Sequence, residues 1–168
     1  MLSNTYKAMF PILLDTMGLV GTLIGIFLGY YCLKVYDPVM AFDMMMLWSI
    51  CCVGIASFLG SLFFRRSTSK ALGWKFGASF QIERAFYHLA FSLATMTLYF
   101  GNWGLEALLA IAYLFSLNLV FEIGLHAYDI FYYKVTSTQK FFRIFANFII
   151  LTYLTYFGYQ AYLYTHTI

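Results

Sequence analysis

Five long runs of apolar residues, separated by short polar segments, make up most of the chain. A helix needs about 20 apolar residues to cross the hydrocarbon core of a bilayer, and each run reaches that length. Because backbone groups in lipid must pair within their own segment, each run predicts a transmembrane α-helix. The predicted spans cover residues 12–36, 41–64, 80–100, 104–133 and 141–164. The pattern therefore predicts an all-α, polytopic transmembrane bundle of about five helices, with residues 1–168 forming a single integral membrane domain.

The composition supports a membrane protein. Hydrophobic residues make up 62% of the chain and charged residues only 10%, whereas a soluble domain is about a quarter charged. The mean hydropathy of +0.77 agrees with this. The expected partner is therefore the lipid bilayer. The net charge of +3 is small, and no basic patch with interleaved aromatic residues occurs, so no nucleic-acid partner is expected.

The basic residues predict the orientation of the bundle. Lysine and arginine accumulate in cytoplasmic loops of membrane proteins. If the spans alternate in direction, Lys34 is the one basic residue on one side, and Arg84 lies just inside a helix. The other side would hold Lys7, Arg65, Arg66, Lys70, Lys75, Lys134, Lys140 and Arg143, several of them in the longest connection, residues 65–79. This bias predicts a cytoplasmic N-terminus and a C-terminus outside.

The first predicted span contains glycines at a spacing that favours close helix packing. Gly21, Gly25 and Gly29 are four residues apart, and Gly18 lies close to the same face. Small residues at this spacing let a neighbouring backbone approach closely in lipid. Two interpretations follow: the face packs on the second span within one chain, or this glycine zipper forms a homo-oligomer. A larger membrane complex is a further alternative.

The fourth predicted span contains a stripe of ionisable residues. Glu122, His126 and Asp129 are spaced four and three residues apart, with Asn118 one turn before Glu122. This spacing places all four on one side of a helix. With the predicted topology, Glu122, His126 and Asp129 lie in the last turns of the helix, in the cytoplasmic leaflet.

Three other spans bring polar residues to the same leaflet. They are Asp15 in the first span, Gln81, Glu83, Arg84 and His88 in the third, and Arg143 and Asn147 in the fifth. At about 100° per residue, Arg84 and His88 share a face, whereas Glu83 points away from Arg84. We expect these helices to turn their polar faces inward. The expected cluster contains Asp15, Glu83, Arg84, His88, Glu122, His126 and Asp129, with Gln81, Asn118 and Asn147 in support.

The predicted cluster has three alternative functions. A charged residue at the middle of a span costs about 2.5–3.5 kcal/mol, so the acids must be paired, protonated or bound to an ion. The first alternative is a proton or ion site of a transporter or channel-like protein. The second is a structural or accessory membrane subunit, in which Arg84 pairs with Glu122 or Asp129 and locks the helices together.

The third alternative is a membrane-embedded metal-binding protein. Glu122, His126 and His88 could supply carboxylate and imidazole ligands to a divalent metal. Di-iron bundles use Glu-x-x-His, and the four-residue spacing of Glu122 and His126 counts against such a centre. The sequence contains no nucleophile elbow, phosphate loop or HExxH motif. It therefore does not favour an enzyme, and no catalytic residue is predicted.

Two segments resemble a known family. FQIERAFYHLAFSLATMTLYFG and LFSLNLVFEIGLHAYDI are similar to a family of small bacterial inner-membrane proteins of unknown function. In that family a Gln-x-Glu opens one helix, and a later helix ends in a small residue, a His and an aromatic residue. Gln81, Glu83 and His126 match these positions. The resemblance covers the third and fourth predicted helices, and it implies a four- or five-helix bundle in a bacterial inner (cytoplasmic) membrane without implying an activity.

Overall fold

The protein is a bundle of α-helices. The computed structural model describes residues 4–35, 37–72, 80–134 and 137–167, and within these ranges it contains helices and turns but no strand. The predicted helical membrane bundle is therefore confirmed. The helices are α1 (Asn4–Lys34), α2 (Pro38–Leu62), α3 (Arg65–Leu72), α4 (Phe80–Phe100), α5 (Leu105–Phe131) and α6 (Thr138–His166).

Four of these helices, α1, α2, α5 and α6, are long and apolar enough to cross a membrane. The third predicted span coincides with α4, which has 21 residues, but α4 is not among those four apolar helices. A short helix, α3, lies in the connection between the second and third predicted spans, for which the apolar pattern predicted no helix. Its sequence RRSTSKAL contains the helix formers Arg, Lys, Ala and Leu and lacks Gly and Pro, which explains its helical conformation.

Short turns define the ends of the long helices. The Asp37 carboxylate accepts a hydrogen bond of 2.8 Å from the Met40 backbone N–H, and Pro38 occupies the first turn of α2. Both features favour a helix start at this point. Between α4 and α5 the backbone enters the left-handed region at Asn102 (φ 51°) and Gly104 (φ 88°). Asparagine and glycine adopt this conformation most easily, so the turn suits its sequence.

α2 lies at the centre of the bundle and contacts α1, α4 and α6, while α5 packs mainly on α6. Fully buried Phe42, Met45, Phe115 and Phe157 belong to the apolar core. α4 lies beside α5, as its short connection predicts, but its larger contact is with α2. The polar cluster described below consequently lies where α4, α5 and α6 meet α1 and α2.

The glycines of α1 face neighbouring helices of the same chain. A Cβ added at Gly21 would come within 2.3 Å of the Cys52 Cβ of α2, and one at Gly29 within 2.7 Å of the Phe157 ring of α6. Gly18 and Gly25 also face α2. Packing within one chain therefore uses this face, and the structure provides no support for a homo-oligomer formed through it.

Candidate functional site: an ion-pair cluster between the helices

Three acidic residues of the apolar helices contact basic side chains on other helices. The N–O distances are 2.7, 2.8 and 2.6 Å. We call the following pairs, together with the polar side chains that contact them, the ion-pair cluster: Asp129–Lys140, Asp15–Arg143 and Glu122–Arg84. All six side chains are at most 17% exposed. Because each pair neutralises an acid in an apolar setting, the cluster can lie within a membrane.

The members of the pairs lie at different depths from one end of the bundle. We call this the basic end: α1, α4 and α6 begin here, and α2 and α5 end here. With a rise of 1.5 Å per residue, Lys140 lies roughly 3 Å and Arg143 roughly 7 Å from the start of α6. Glu122 lies roughly 13 Å from the end of α5. Lys140 and Arg143 therefore lie near the basic end, whereas Glu122 lies toward the middle of the bundle.

Glu122 is the deepest acid and has the most partners. Its Oε1 lies 2.6 Å from Arg84 Nη2 and 3.0 Å from His88 Nε2. The side-chain amides of Asn118 and Asn147 donate to Oε1 and Oε2 at 3.4 and 3.3 Å. These partners come from α4, α5 and α6. Arg84 thus neutralises Glu122, one of the two pairings that the sequence left open.

His88 is a buried link between α4 and Glu122. Its side chain is 3% exposed, and Nε2 faces the Glu122 carboxylate. Arg84 Nε also points at Nε2, at 3.5 Å, so the contact with Glu122 is a hydrogen bond only when Nε2 has a proton. Nδ1 is buried and has no hydrogen-bond partner among the residues that the structure describes. His88 therefore connects α4 to Glu122 through one ring nitrogen.

The two shallower pairs differ in geometry. Arg143 contacts Asp15 with two nitrogens, Nη2 to Oδ1 at 2.8 Å and Nε to Oδ2 at 3.2 Å. The Gln139 amide donates to the same Asp15 Oδ2. A two-point contact of this kind fixes orientation as well as charge. Lys140 is fully buried and places its Nζ 2.7 Å from Asp129 Oδ2.

A cavity of about 40 Å³ lies among α1, α2, α5 and α6. Its wall includes Asp15, Arg143, Asn147 and Glu122 together with apolar side chains. A water molecule needs roughly 10–15 Å³ of such space and two to four polar partners. The cavity meets both requirements. Water in it would connect the Asp15–Arg143 pair with Glu122.

Most of the predicted cluster residues come together in the structure. The described contacts include Asp15, Arg84, His88, Asn118, Glu122, Asp129, Arg143 and Asn147. His126 is fully buried on α5, one turn from Glu122. In the structure, the polar faces of α1, α4, α5 and α6 are turned toward neighbouring helices at these residues.

Glu83 and Gln81 do not join the cluster. Glu83 is exposed and accepts a hydrogen bond of 3.2 Å from the hydroxyl of Tyr87 on its own helix. Gln81 is 3% exposed but accepts from Arg65 and donates to Ser69, which connects α4 to α3. Glu83 is one residue from Arg84 and is therefore turned about 100° away from it around α4. Gln81 lies on roughly the same side as Arg84 but nearly one turn closer to the start of α4, where it meets Arg65 and Ser69 of α3.

Gln139 and Lys140 belong to the ion-pair cluster but are not among the residues that the sequence predicts for it. Lys140 is expected from the charge bias to lie on the cytoplasmic side outside the spans, yet it is fully buried on α6. A signal was present, since Lys140, Arg143 and Asn147 are spaced three and four residues apart. That spacing predicts one polar face on α6, which would have placed Lys140 beside the other two.

The metal alternative gains no support from the geometry. Within the described residues, no group of three or more His, Cys, Asp and Glu side chains is arranged to hold a metal ion. Glu122 and His88 are in contact, but Arg84 occupies the same carboxylate oxygen. The arrangement is that of a charge-neutral network of acids, bases and amides.

Comparison with known proteins identifies the family. A family model described as a family of unknown function (DUF6790) matches residues 8–161. No curated protein and no solved structure matches the chain. The resemblance to an uncharacterised family is confirmed, and the match extends well beyond the two helices that suggested it. Since it covers most of the sequence, the chain belongs to the DUF6790 family of unknown function.

Proposed function

We propose that this protein is a small proton-conducting transporter or channel-like protein in which Glu122 is the proton-binding site. The observation that supports this most is the cavity, whose wall contains both the Asp15–Arg143 pair and Glu122. Chains of acids and histidines inside a membrane are typical of proton relays. A proton entering through water in the cavity would reach an acid that otherwise lies far from the membrane surface.

In the proposed mechanism, Arg84 and His88 control the charge of Glu122. With Glu122 ionised, Arg84 stays on its carboxylate. A proton that arrives through the cavity adds to the Glu122 carboxylate, which keeps its 3.0 Å contact with His88 Nε2. Neutral Glu122 no longer attracts Arg84. Arg84 is roughly 6 Å from the start of α4, so its long side chain can extend toward the headgroups.

We further propose that α4 is a fifth membrane span. Its polar side chains Gln81, His88, Ser92 and Thr95 are at most 3% exposed. Its exposed side chains include Ile82, Phe86 and Leu93, which are suited to lipid. A span with a polar face inside the bundle has low average hydropathy but an apolar outer surface. In the predicted orientation, five spans place the ion-pair cluster in the cytoplasmic leaflet of a bacterial inner membrane.

A second candidate function is a structural or accessory membrane subunit. One specific observation favours it: each of the three ion pairs joins two different helices. Such pairs would fix the rotation of α1, α4, α5 and α6 about their axes without moving any proton. The two functions differ in whether Glu122 ever takes up a proton.

Proton flux into vesicles separates the two functions. The purified protein is reconstituted with an entrapped pH-sensitive dye, and an acid pulse is applied with a potassium diffusion potential for charge compensation. We expect acidification faster than in protein-free vesicles, and a loss of this difference in Glu122→Gln. Glu83→Gln is the matched control, because Glu83 is exposed and outside the cluster. Flux from the wild-type protein equal to that of empty vesicles would support the structural function.

A further inference from the structure

α3 lies against the basic end of the bundle. It begins three residues after α2 ends at Leu62 and contacts α1, α2 and α6. The Thr68 hydroxyl donates a hydrogen bond of 2.9 Å to the Gly60 carbonyl in the last turn of α2. Thr68, Ser69 and Leu72 are buried at 5%, 1% and 0% exposure. One side of this short polar helix is therefore attached to the membrane-spanning helices.

The other side of α3 presents positive charge. Arg66 and Lys70 are both exposed, and their spacing of four residues places them one turn apart on the same side. Phe63, just before α3, is 67% exposed. Because the preceding span ends at Leu62, these side chains lie at the level where hydrocarbon meets headgroups. The surface combines an aromatic ring with two cations at that boundary.

We propose that this surface, formed by Phe63, Arg66 and Lys70, binds the headgroups of anionic phospholipids. Basic side chains next to a membrane span attract anionic lipids through their phosphates. The exposed ring of Phe63 fits the hydrocarbon boundary, which favours a lipid over a soluble anion. The orientation is consistent, since positively charged segments accumulate on the cytoplasmic side. The proposal is independent of proton movement through Glu122.

Binding of phosphatidylglycerol and phosphatidylcholine to the full-length protein in detergent provides the test. Each lipid is titrated while the number of bound lipids is measured by native mass spectrometry. We expect the wild-type protein to prefer phosphatidylglycerol, and Arg66→Gln or Lys70→Gln to weaken that binding by roughly fivefold each. Lys34→Gln removes the same charge from an exposed position at the opposite end and should leave the binding unchanged. Arg66→Lys should retain most of the preference.

Three results would overturn the proposal. Equal weakening in all three glutamine variants would indicate a general effect of net charge. Equal affinity of the wild-type protein for both lipids would show that α3 does not select anionic headgroups. Displacement of phosphatidylglycerol by millimolar inorganic phosphate would indicate a site for a free anion.

Unchanged thermal unfolding of the variants in phosphatidylcholine would show that a loss of binding is not a loss of folding.

Discussion

Arg84 of α4 and Glu122 of α5 form an ion pair with a distance of 2.6 Å between Nη2 and Oε1. The two side chains are 17% and 13% exposed. α4 packs mainly on α2 and touches α5 less extensively, so this pair is a principal link between α4 and α5. It also determines the charge of the deepest acid in the cluster, and both proposed functions depend on it.

Removing one member of this pair should destabilise the protein more than removing both. Arg84→Gln leaves the Glu122 carboxylate facing fewer positive charges, and loss of one partner of a buried pair typically costs about 3–5 kcal/mol. In the double variant Arg84→Gln/Glu122→Gln two amides can hydrogen-bond, and we expect much of the loss to be recovered. Unfolding free energies in detergent, compared in a double-mutant cycle, measure this. Additive effects of the two substitutions would contradict a direct interaction.

The cost of breaking an ion pair should increase with its depth. Lys140→Met removes the charge that faces Asp129, which lies roughly 3 Å from the end of its helix. Asp129 and Glu122 are similarly exposed, at 14% and 13%, but Asp129 lies closer to the end of α5 and so to water and headgroups. We therefore expect Lys140→Met to reduce the free energy of unfolding less than Arg84→Met, with both measured in the same detergent. A larger loss in Lys140→Met would contradict the depth order of the pairs.

Filling the cavity should stop proton movement while the ion pairs remain. Ala146 belongs to the cavity wall, and Ala146→Leu would occupy the space between Asp15 and Glu122. We expect proton flux into vesicles to fall at least several-fold. Gly124→Leu is the control, because a Cβ at Gly124 has nothing within 4 Å. Normal flux in a correctly folded Ala146→Leu variant would show that protons do not pass through the cavity.

A single methyl group should disturb the contact between α2 and α4. A Cβ at Gly54 would come within 2.6 Å of the His88 carbonyl and 2.0 Å of the Ser92 hydroxyl. The carbonyl is backbone, so the helices must move apart, and overpacking of this kind costs about 1–3 kcal/mol. In thermal unfolding, the melting temperature of Gly54→Ala should be lower than that of the wild-type protein. Gly124→Ala should be neutral or stabilising, since it only adds a better helix former, and equal effects at both sites would contradict the close approach.

Periodicity predicted the helices and much of the cluster. The four- and three-residue spacing of Glu122, His126 and Asp129 placed them on one side of α5, and the alternating spans placed Asp15 and His88 in the same half of the bundle. These results depend only on the helical repeat and on chain direction. They required no knowledge of how the helices contact one another.

The helical repeat alone could not predict which acid pairs with which base in the cluster. Arg84 could have paired with Glu122 or Asp129, because both face the same way on α5. The choice depends on the rotation and offset of α4, which packs mainly on α2 and approaches it closely at Gly54. Lys140 was missed because it is near a helix start, where a basic residue resembles a loop residue.

The most direct measurement of the proposed function is the protonation of Glu122 itself. Infrared difference spectra of the reconstituted protein, recorded between neutral and acidic buffer, report carboxylate loss and carboxylic-acid gain. We expect the carboxylic-acid band of the wild-type protein to contain one component that persists in Glu83→Gln and is absent from Glu122→Gln. A spectrum of Glu122→Gln identical to that of the wild-type protein would contradict proton binding at Glu122 and leave the cluster with a structural function.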